Sequence, residues 1–477
     1  MPSLRRISAA LSVIMLGWLP AACVHHQRYQ PAPIDASDEP ARYRRRRLDD
    51  QDLARFLTAT GVAPDTGWSA TRLGLAALYF RNDLGVARAG LAEAEAATLT
   101  AGVRPAVSVD AGVGRGSRTE EGLTSPWTVS LTTGLTLETG GKRSARIARA
   151  RAGALLARLG LEVAGRHVAE EARSAAIAAQ SADAEVVDAR TELTALRAVA
   201  TLLRARYAQG QLSLTELARA EADAQAATLT LAQAERGRVE ARAALARALA
   251  VPEGAIDTLA IRSDPSSPCD TIGLLAVDTL VARALQTRPD VGVALATYAV
   301  AEADVRLAVA EQYPNLTLAP GISWDQGIVR WLLSFGLPAV VTPRRARGPI
   351  AEAEARRAAQ SAGVNALQDS VLSAVDAGVL ACQVVRREGV AADSAVGAAA
   401  RVAELARGAY DRGETGRTEL AVAELALVRA RHARQLALAR RSAAGATLDA
   451  ATGAWLAPPT LHWPDLAVPP TEPKGQR

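Results

Sequence analysis

The sequence predicts a mainly α-helical protein with a small β part, built from two copies of one structural block. Residues 127–251 and 350–457 contain no proline and are rich in Ala, Leu, Arg and Glu, which are strong helix formers. Residues 207–221 recur as residues 410–424 with eight identities at an offset of 203. A repeat of this size is too long for a solenoid unit, so we interpret it as duplication of a whole supersecondary block.

The N-terminus predicts an exported protein. Two arginines precede an apolar run at residues 7–19, which is too short to span a membrane and is followed by small residues. Residues 19–23, Leu-Pro-Ala-Ala-Cys, resemble a bacterial lipobox, although proline replaces the usual aliphatic residue. We therefore expect residues 1–22 to be a signal peptide and Cys23 to carry a lipid. The alternative is an ordinary cleavage site near this cysteine.

Residues 23–65 are expected to form a lipid-anchored linker, which contains a basic run at residues 42–47. We interpret this run as a solvated tether, with contact to anionic lipid head groups as the alternative. A net charge of +5 and a pI of about 9.4 would usually suggest a nucleic-acid partner, but export argues against one. Cys269 and Cys382 could pair in an oxidising compartment. Because no metal-ligand spacing links them, we interpret them as separate, non-catalytic residues.

Two structural repeats are expected at residues 66–251 and 270–455, with a connector at 252–269 and a C-terminal tail at 456–477. Their similarity is strongest near the turn of a predicted helical hairpin. A protein with two similar halves often builds a symmetric object such as a ring or a tube.

Each repeat is expected to contain a long antiparallel helical hairpin, at about residues 141–250 and about residues 345–455. The segment from residue 141 to residue 208 would span roughly 100 Å at 1.5 Å per residue, which implies coiled-coil packing. Gly210 and Gly413 suit a left-handed residue that ends the first helix of each hairpin. The candidate N-caps of the following helices are Ser213 or Thr215, and Thr418.

Between the helices lie four segments with the two-residue period of a β-strand, in hairpins at about residues 105–139 and about residues 314–341. Each segment is about ten residues long, the length that crosses a bilayer in a β-barrel. Four strands cannot close a barrel, and lipid cannot satisfy open strand edges, so we expect the chain to oligomerise. Two copies would give eight strands and three would give twelve; a wide lumen favours twelve.

The order and spacing of several motifs resemble the TolC-like outer-membrane efflux family. These motifs are the duplicated halves with their Tyr-x-x-Gly tips, Arg288-Pro-Asp, and Tyr313-Pro-Asn-Leu at the start of a strand. Leu-Glu-Thr-Gly-Gly-Lys-Arg at residues 137–143 and Arg-Gly-Pro-Ile at residues 347–350 are similar to the heavy-metal cation-efflux branch of that family. The resemblance covers about residues 66–455.

The resemblance implies a homotrimer in the outer membrane. Four transmembrane strands per chain would form one 12-stranded barrel, and the helices would form a tunnel through the periplasm. The tunnel would dock a periplasmic adaptor that is bound to a proton-driven inner-membrane pump. The candidate docking tips are Gly210, Leu212, Ser213, Leu214, Thr215, Gly413, Thr415 and Thr418.

In the family, tyrosine, arginine and acidic residues hold the periplasmic gate closed. Tyr410, Arg417 and Glu419 are the matching candidates here, although Thr415 occupies the position where the arginine is expected. Trp127, Trp324 and Trp331 are candidates for an aromatic girdle at the edge of the outer-membrane lipid.

No pattern in the sequence indicates an enzyme. It contains no phosphate-binding loop, nucleophile–histidine arrangement or metal cluster, so neither a cofactor nor a bound metal is expected. The resemblance implies a passive exit duct of a tripartite efflux system. The alternatives are the outer-membrane component of a type I protein secretion system and a non-conducting periplasmic coiled-coil scaffold lipoprotein. The alternating strands argue against the scaffold, and the sequence does not separate metal cations, drugs and proteins as cargo.

Overall fold

The computed structural model describes residues 28–34, 37–61, 67–116, 125–264, 267–271, 276–325, 328–337 and 343–454. The chain divides into two compact units, Met1–Arg45 and Arg46–Arg477. Within the first unit, the described residues form one short helix, α1 (Glu39–Arg45), which has no buried residue. Cys23 lies outside the described residues.

The second unit is mainly helical with a small sheet, as predicted. Its elements in chain order are α2 (Gln51–Ala59), β1 (Trp68–Ser69), α3 (Ala70–Phe80), α4 (Asp83–Ala101), β2 (Ser108–Arg115), β3 (Trp127–Leu137), α5 (Lys142–Ala208), α6 (Leu214–Leu249), a 3₁₀ turn (Glu253–Ala255), β4 (Ile261–Arg262), α7 (Pro268–Thr271), α8 (Val277–Thr287), α9 (Pro289–Glu311), β5 (Leu316–Asp325), β6 (Ile328–Gly336), α10 (Pro343–Asp411) and α11 (Arg417–Thr452).

Two long helical hairpins dominate this unit, α5 with α6 and α10 with α11. The 67 residues of α5 correspond to a helix of roughly 100 Å. Gly210 and Gly413 have φ angles of 69° and 74°, which confirms the left-handed conformation predicted for them. Ser213, one of the two candidates, caps α6, but the cap predicted at Thr418 is wrong. Helix α11 starts at Arg417 with Gly416 at its N-cap position, so Thr418 lies inside the first turn.

The four longer strands form one antiparallel sheet in the order β2-β3-β5-β6. The hairpin of the first repeat therefore joins that of the second through β3 and β5, and β2 and β6 are the edge strands. Strands β1 and β4 make a separate two-residue parallel pair. Among the described helices, none is long and apolar enough to cross a membrane.

The buried core lies where the shorter helices pack against the hairpins. At the first repeat, Leu73 and Ala76 of α3 and Leu53 of the preceding α2 are fully buried in one core with Leu245 and Leu249 near the end of α6. In the second repeat, a smaller core is formed by residues of α7 to α11: Cys269, Ala284, Val371, Val375, Cys382 and Leu448. Alanine is the commonest buried residue of α5 and α6, followed by leucine and valine.

Cys269 and Cys382 form a disulfide, so interpreting them as separate residues is wrong. Their Cα atoms are 5.0 Å apart, and neither residue is exposed. The sequence does not show this pairing, because the cysteines are 113 positions apart and meet only where α7 packs against both α10 and α11. Arg441 of α11 pairs with Asp270, the neighbour of Cys269. The connector between the repeats is therefore fastened to the second hairpin.

Candidate functional site: tips, seam and sheet

The first hairpin ends in an ordered turn with an exposed apolar side chain. The Ser213 hydroxyl accepts a hydrogen bond from the Glu216 backbone N–H at 3.2 Å, and the Glu216 carboxylate accepts from the Ser213 backbone N–H at 3.2 Å. This reciprocal capping box holds the start of α6 in place. Leu214 projects from it with 62 % of its surface exposed, while Leu212 is half-buried. The first tip therefore presents leucine on a rigid turn.

The second tip is charged where the first is apolar. Arg412 donates to the Glu414 carboxylate at 2.7 and 2.9 Å across the turn, and this bond holds the pKa of Glu414 below its ordinary value. Thr415 is exposed, and Tyr410 is 39 % exposed just before the turn. The two tips share their left-handed glycines but offer different chemistry to a partner.

The structure brings Glu419 to Arg206 of the first hairpin, with 3.7 Å between carboxylate and guanidinium. Sequence reasoning placed Glu419 with Tyr410 and Arg417 and missed Arg206. Its position in the last turn of α5 is visible in the sequence, but its partner belongs to the other repeat. The first and second hairpins are thus linked within one chain close to their tips.

We call the line of contact between α5 and α11 the seam. Ion pairs cross it at three levels: Arg206–Glu419 near the tips, Arg429–Glu192 at 2.8 Å, and Arg173–Asp449 at 2.8 Å far from the tips. The side chains of the first pair are 40 % and 54 % exposed, whereas those of Arg173 and Asp449 are 8 % and 15 % exposed. A buried pair is costly to break, so the seam is held most firmly away from the tips.

The sheet has one apolar and one polar face. Cross-strand partners share a face, and the register places Val129 beside Trp324 and Ile322 beside Trp331. Ser130 lies beside Ser323, which in turn lies beside Arg330, on the opposite face. Trp127 follows the parity of Val129 along β3, so the three predicted girdle tryptophans lie on one face.

The same three tryptophans gather at one end of the sheet. Trp127 pairs with Arg115 at the end of β2, and the Arg115 guanidinium lies 5.6 Å from the centre of its ring. Trp324 and Trp331 lie close to the β5–β6 turn. Every residue of β6 is exposed, including Trp331 at 78 % and Phe335 at 66 %. This strand presents both an unpaired edge and an uncovered apolar face.

The described residues contain no group of three His, Cys, Asp or Glu side chains that could hold a metal ion. The candidate functional features described above are the two tips, the seam and the sheet.

Comparisons with known proteins agree with this arrangement. A family model described as outer membrane efflux protein matches residues 76–251. No curated protein sequence matches the chain. Among solved structures, the outer-membrane channel OprN is similar with a TM-score of 0.64 and 19% identity, covering 90% of this chain and 99% of its own.

Two further structures have the same fold. The outer membrane protein VceC from Vibrio cholerae has a TM-score of 0.62 and 21% identity, covering 80% of this chain and 96% of its own. CusC has a TM-score of 0.62 and 15% identity, covering 80% of this chain and 92% of its own. The chain therefore resembles TolC-like outer membrane efflux proteins: their family model matches residues 76–251, and the fold is shared with outer-membrane channels over most of its length.

Proposed function

We propose that this chain is the outer-membrane exit duct of a tripartite efflux system, and that three copies assemble into it. The observation that carries the proposal is a four-stranded sheet with an apolar face and two edges, joined to two long helical hairpins. In this role the protein catalyses no reaction and conducts substrates that a separate pump expels.

The sheet supports closure by three copies into a 12-stranded transmembrane barrel. Lipid offers no hydrogen-bond partners to an open strand, so β2 of one copy would pair with β6 of the next. The face with Trp127, Trp324 and Trp331 would contact lipid and form the girdle, since tryptophan favours the membrane interface. The opposite face, with its serines and threonines, would line the water-filled lumen.

The hairpins support a periplasmic tunnel of twelve helices. Several large apolar side chains on their outer faces are exposed in the single chain: Leu229 and Val239 on α6, and Leu380, Val390 and Leu405 on α10. Packing against neighbouring copies would remove this surface from water, at about 25 cal/mol for each Å² of apolar area. The Cys269–Cys382 disulfide fits an oxidising compartment such as the periplasm.

Lipidation of Cys23 would add a second membrane attachment to the barrel. The supporting observation is the Leu-Pro-Ala-Ala-Cys sequence after a short apolar run. Cys23→Ser should abolish acyl labelling, and the mass of the mature N-terminus should show the loss. An unmodified N-terminus in the wild-type protein would refute lipidation.

Adaptor docking is assigned to the tips, because they carry exposed side chains on fixed turns at the ends of the hairpins. Gly210, Leu212, Ser213, Leu214 and Thr215 would form one contact, and Gly413, Thr415 and Thr418 the other. The inner-membrane, proton-driven pump would be reached through that adaptor.

Gating is assigned to Tyr410, Arg417 and Glu419, with Arg206 added by the contact to Glu419. Planar-bilayer recording of the purified protein tests both the duct and its gate. The wild type should insert and conduct weakly, and Glu419→Gln should raise the conductance because the link to Arg206 weakens. Insertion without conductance in either protein would favour the non-conducting scaffold. Conduction of unfolded polypeptide, rather than of ions and small molecules, would favour type I protein secretion.

A further inference from the structure

A cavity of about 340 Å³ with a mixed polar and apolar lining lies midway along the seam. It is bordered by α5, α11 and four residues that precede or begin α7: Ser263, Asp264, Ser267 and Asp270. Two polar atoms at its wall are buried and have no hydrogen-bond partner in the described structure: Oδ2 of Asp188 and Nε2 of His432. Such atoms are costly, because a buried polar group without a partner has lost its hydration. This part of the seam is therefore incomplete in its hydrogen bonding.

His432 faces carboxylates of the opposite helix. Its Nδ1 lies 3.9 Å from Oε2 of Glu192, and its side chain is only 21 % exposed. Glu192 also accepts a hydrogen bond from Nε of Arg429 at 2.8 Å. Asp188 lies one helical turn before Glu192 on α5, so both carboxylates stand on the same face of that helix. A neutral imidazole here leaves Asp188 without a counter-charge.

The other charged groups around the cavity have partners, apart from exposed Glu185, which adds negative charge. Asp264 accepts a hydrogen bond from Thr71 at 3.0 Å. Asp270 pairs with Arg441. The surroundings of His432 from α5 and the connector are thus mainly negative.

Two acidic groups on the helices behind the seam are paired with arginines that neighbour the clamp residues in sequence. On α10, Asp393 accepts from Arg434 at 2.6 Å, and on α6, Glu235 accepts from Arg190 at 3.1 Å. Neither acidic group is left to compete with Asp188 and Glu192 for a proton-bearing His432.

We infer that Asp188, Glu192 and His432 form a proton-operated clamp that fastens the two hairpins of one chain together. A proton taken up at His432 creates an imidazolium that faces two carboxylates across the seam. Imidazole is the side chain whose charge ordinarily changes between about pH 5 and pH 8. Acidification should therefore close the seam, and neutral or alkaline pH should loosen it.

The direction in which pH shifts the seam follows from the linkage between proton binding and closure. Burial raises the pKa of Asp188 in the closed seam, and the proximity of His432 opposes this effect. The closed seam consequently binds a proton at Asp188 more tightly than separated helices do. A state that holds its proton more tightly is favoured as the pH falls. A tenfold difference in proton affinity of Asp188 between the closed and the separated state changes the ratio of closed to separated seams by up to about tenfold.

The clamp is tested by electron spin resonance on the full-length chain with nitroxide labels at Thr201→Cys and Val422→Cys. Both positions are exposed and lie next to the Arg206–Glu419 pair, one on each side of the seam. A Cys23→Ser background confines the labels to these sites, since Cys269 and Cys382 are bonded to each other. The wild type should show a shorter distance at pH 5.5 than at pH 7.5.

Substitutions test whether His432 causes the change of distance with pH. His432→Gln should remove the pH dependence, and Asp188→Asn should keep the short distance even at pH 7.5, because it removes the buried charge. His167→Gln, at an exposed position of α5, is the matched histidine control and should behave as wild type. A pH-independent distance in the wild type, or an unchanged shift in His432→Gln, would overturn the clamp.

The effect of the clamp on transport rests on the proposed duct. In planar bilayers, conductance should be lower at pH 5.5 than at pH 7.5 in the wild type and pH-independent in His432→Gln. A protein that never conducts would contradict the duct, while the spin-label distances would still decide for or against the clamp. The two failures are therefore distinguishable.

Discussion

Arg288 donates a hydrogen bond to the carbonyl oxygen of Ala451 at 3.1 Å, in the last turn of α11. The first repeat contains the same contact, from Arg81 to the carbonyl oxygen of Ala248 at 3.4 Å near the end of α6. Each arginine also donates to the aspartate two residues later, Arg288 through two hydrogen bonds and Arg81 through three. The last carbonyls of a helix lack partners within the helix, so these arginines satisfy them. In both repeats, this contact ties the end of a long hairpin to the start of a shorter helix.

Arg288→Ala should destabilise the second repeat, because it removes a charged hydrogen bond to Ala451 and the partner of Asp290. Hydrogen bonds to charged groups contribute about 1.5–3 kcal/mol each, so a loss of that order in the free energy of unfolding is expected. Thermal unfolding followed by circular dichroism measures it. Arg306→Ala, in the same helix α9, is the control. The Arg306 side chain is 68 % exposed, so its ion pair with Glu302 should contribute little to stability. Equal effects of the two changes would contradict the assigned role of Arg288.

The same contact predicts a loss of stability in acid. Burial raises the pKa of Asp290, but the hydrogen bonds from Arg288 outweigh it, and the pKa lies below its ordinary value. A carboxylate whose pKa is lowered by folding stabilises the protein above its unfolded pKa, and this contribution is lost as the pH falls through the folded pKa. The melting temperature should therefore fall below about pH 4. The fall should be smaller in Asp290→Asn, which has no carboxylate to protonate; an identical fall would count against this linkage.

Loss of the disulfide should loosen the second hairpin from the connector. Closing a loop of 113 residues stabilises a folded chain by about 4–5 kcal/mol in the chain-entropy model. The double variant Cys269→Ala with Cys382→Ala should therefore unfold at a lower urea concentration, measured by tryptophan fluorescence. Because both cysteines are fully buried, reductant alone should leave the folded wild type unchanged. A wild-type midpoint in the double variant would show that the buried core of this repeat suffices without the bond.

The parts of the fold that could be predicted are those with a local signal. Gly210 and Gly413 end helices in a left-handed conformation, and the preceding Tyr-x-x-Gly sequence indicated this. The alternation of apolar and polar residues from Trp127 to Leu137 indicated a strand, and the structure has one there. The period of the apolar residues and the residue types in a turn depend only on neighbouring residues, so a single sequence is enough to predict them.

Contacts between the repeats could not be predicted. Arg206 and Glu419, Arg173 and Asp449, and the two bonded cysteines are each separated by more than a hundred residues. Many arginines and carboxylates on these helices have the same local surroundings, so nothing in the sequence selects one partner. The start of α11 at Arg417 was also missed. Its N-cap residue is Gly416, which has no side chain to make the capping hydrogen bond that a serine, threonine, aspartate or asparagine makes.

The tips should tolerate substitution structurally but not functionally. An added Cβ at Gly413 meets no atom within 4 Å, so the cost of Gly413→Val is the backbone strain of a left-handed residue, about 1 kcal/mol or more. Gly413→Val and Leu214→Asp should therefore impair efflux without reducing the amount of assembled protein in the outer membrane. Cellular accumulation of a fluorescent substrate measures efflux. Gly397→Ala, inside α10 and without close neighbours other than Arg401, is the control and should pump normally. Normal efflux by both tip variants would place docking elsewhere.

The most direct test of the account is the mass of the protein extracted from outer membranes in mild detergent. The edges of β2 and β6 and the uncovered apolar face of β6 require neighbours in lipid. Native mass spectrometry should give three chains in one particle, and crosslinking in the membrane before extraction should give the same number. A stable monomer in the membrane fraction, by both methods, would contradict the shared barrel on which the proposed duct depends.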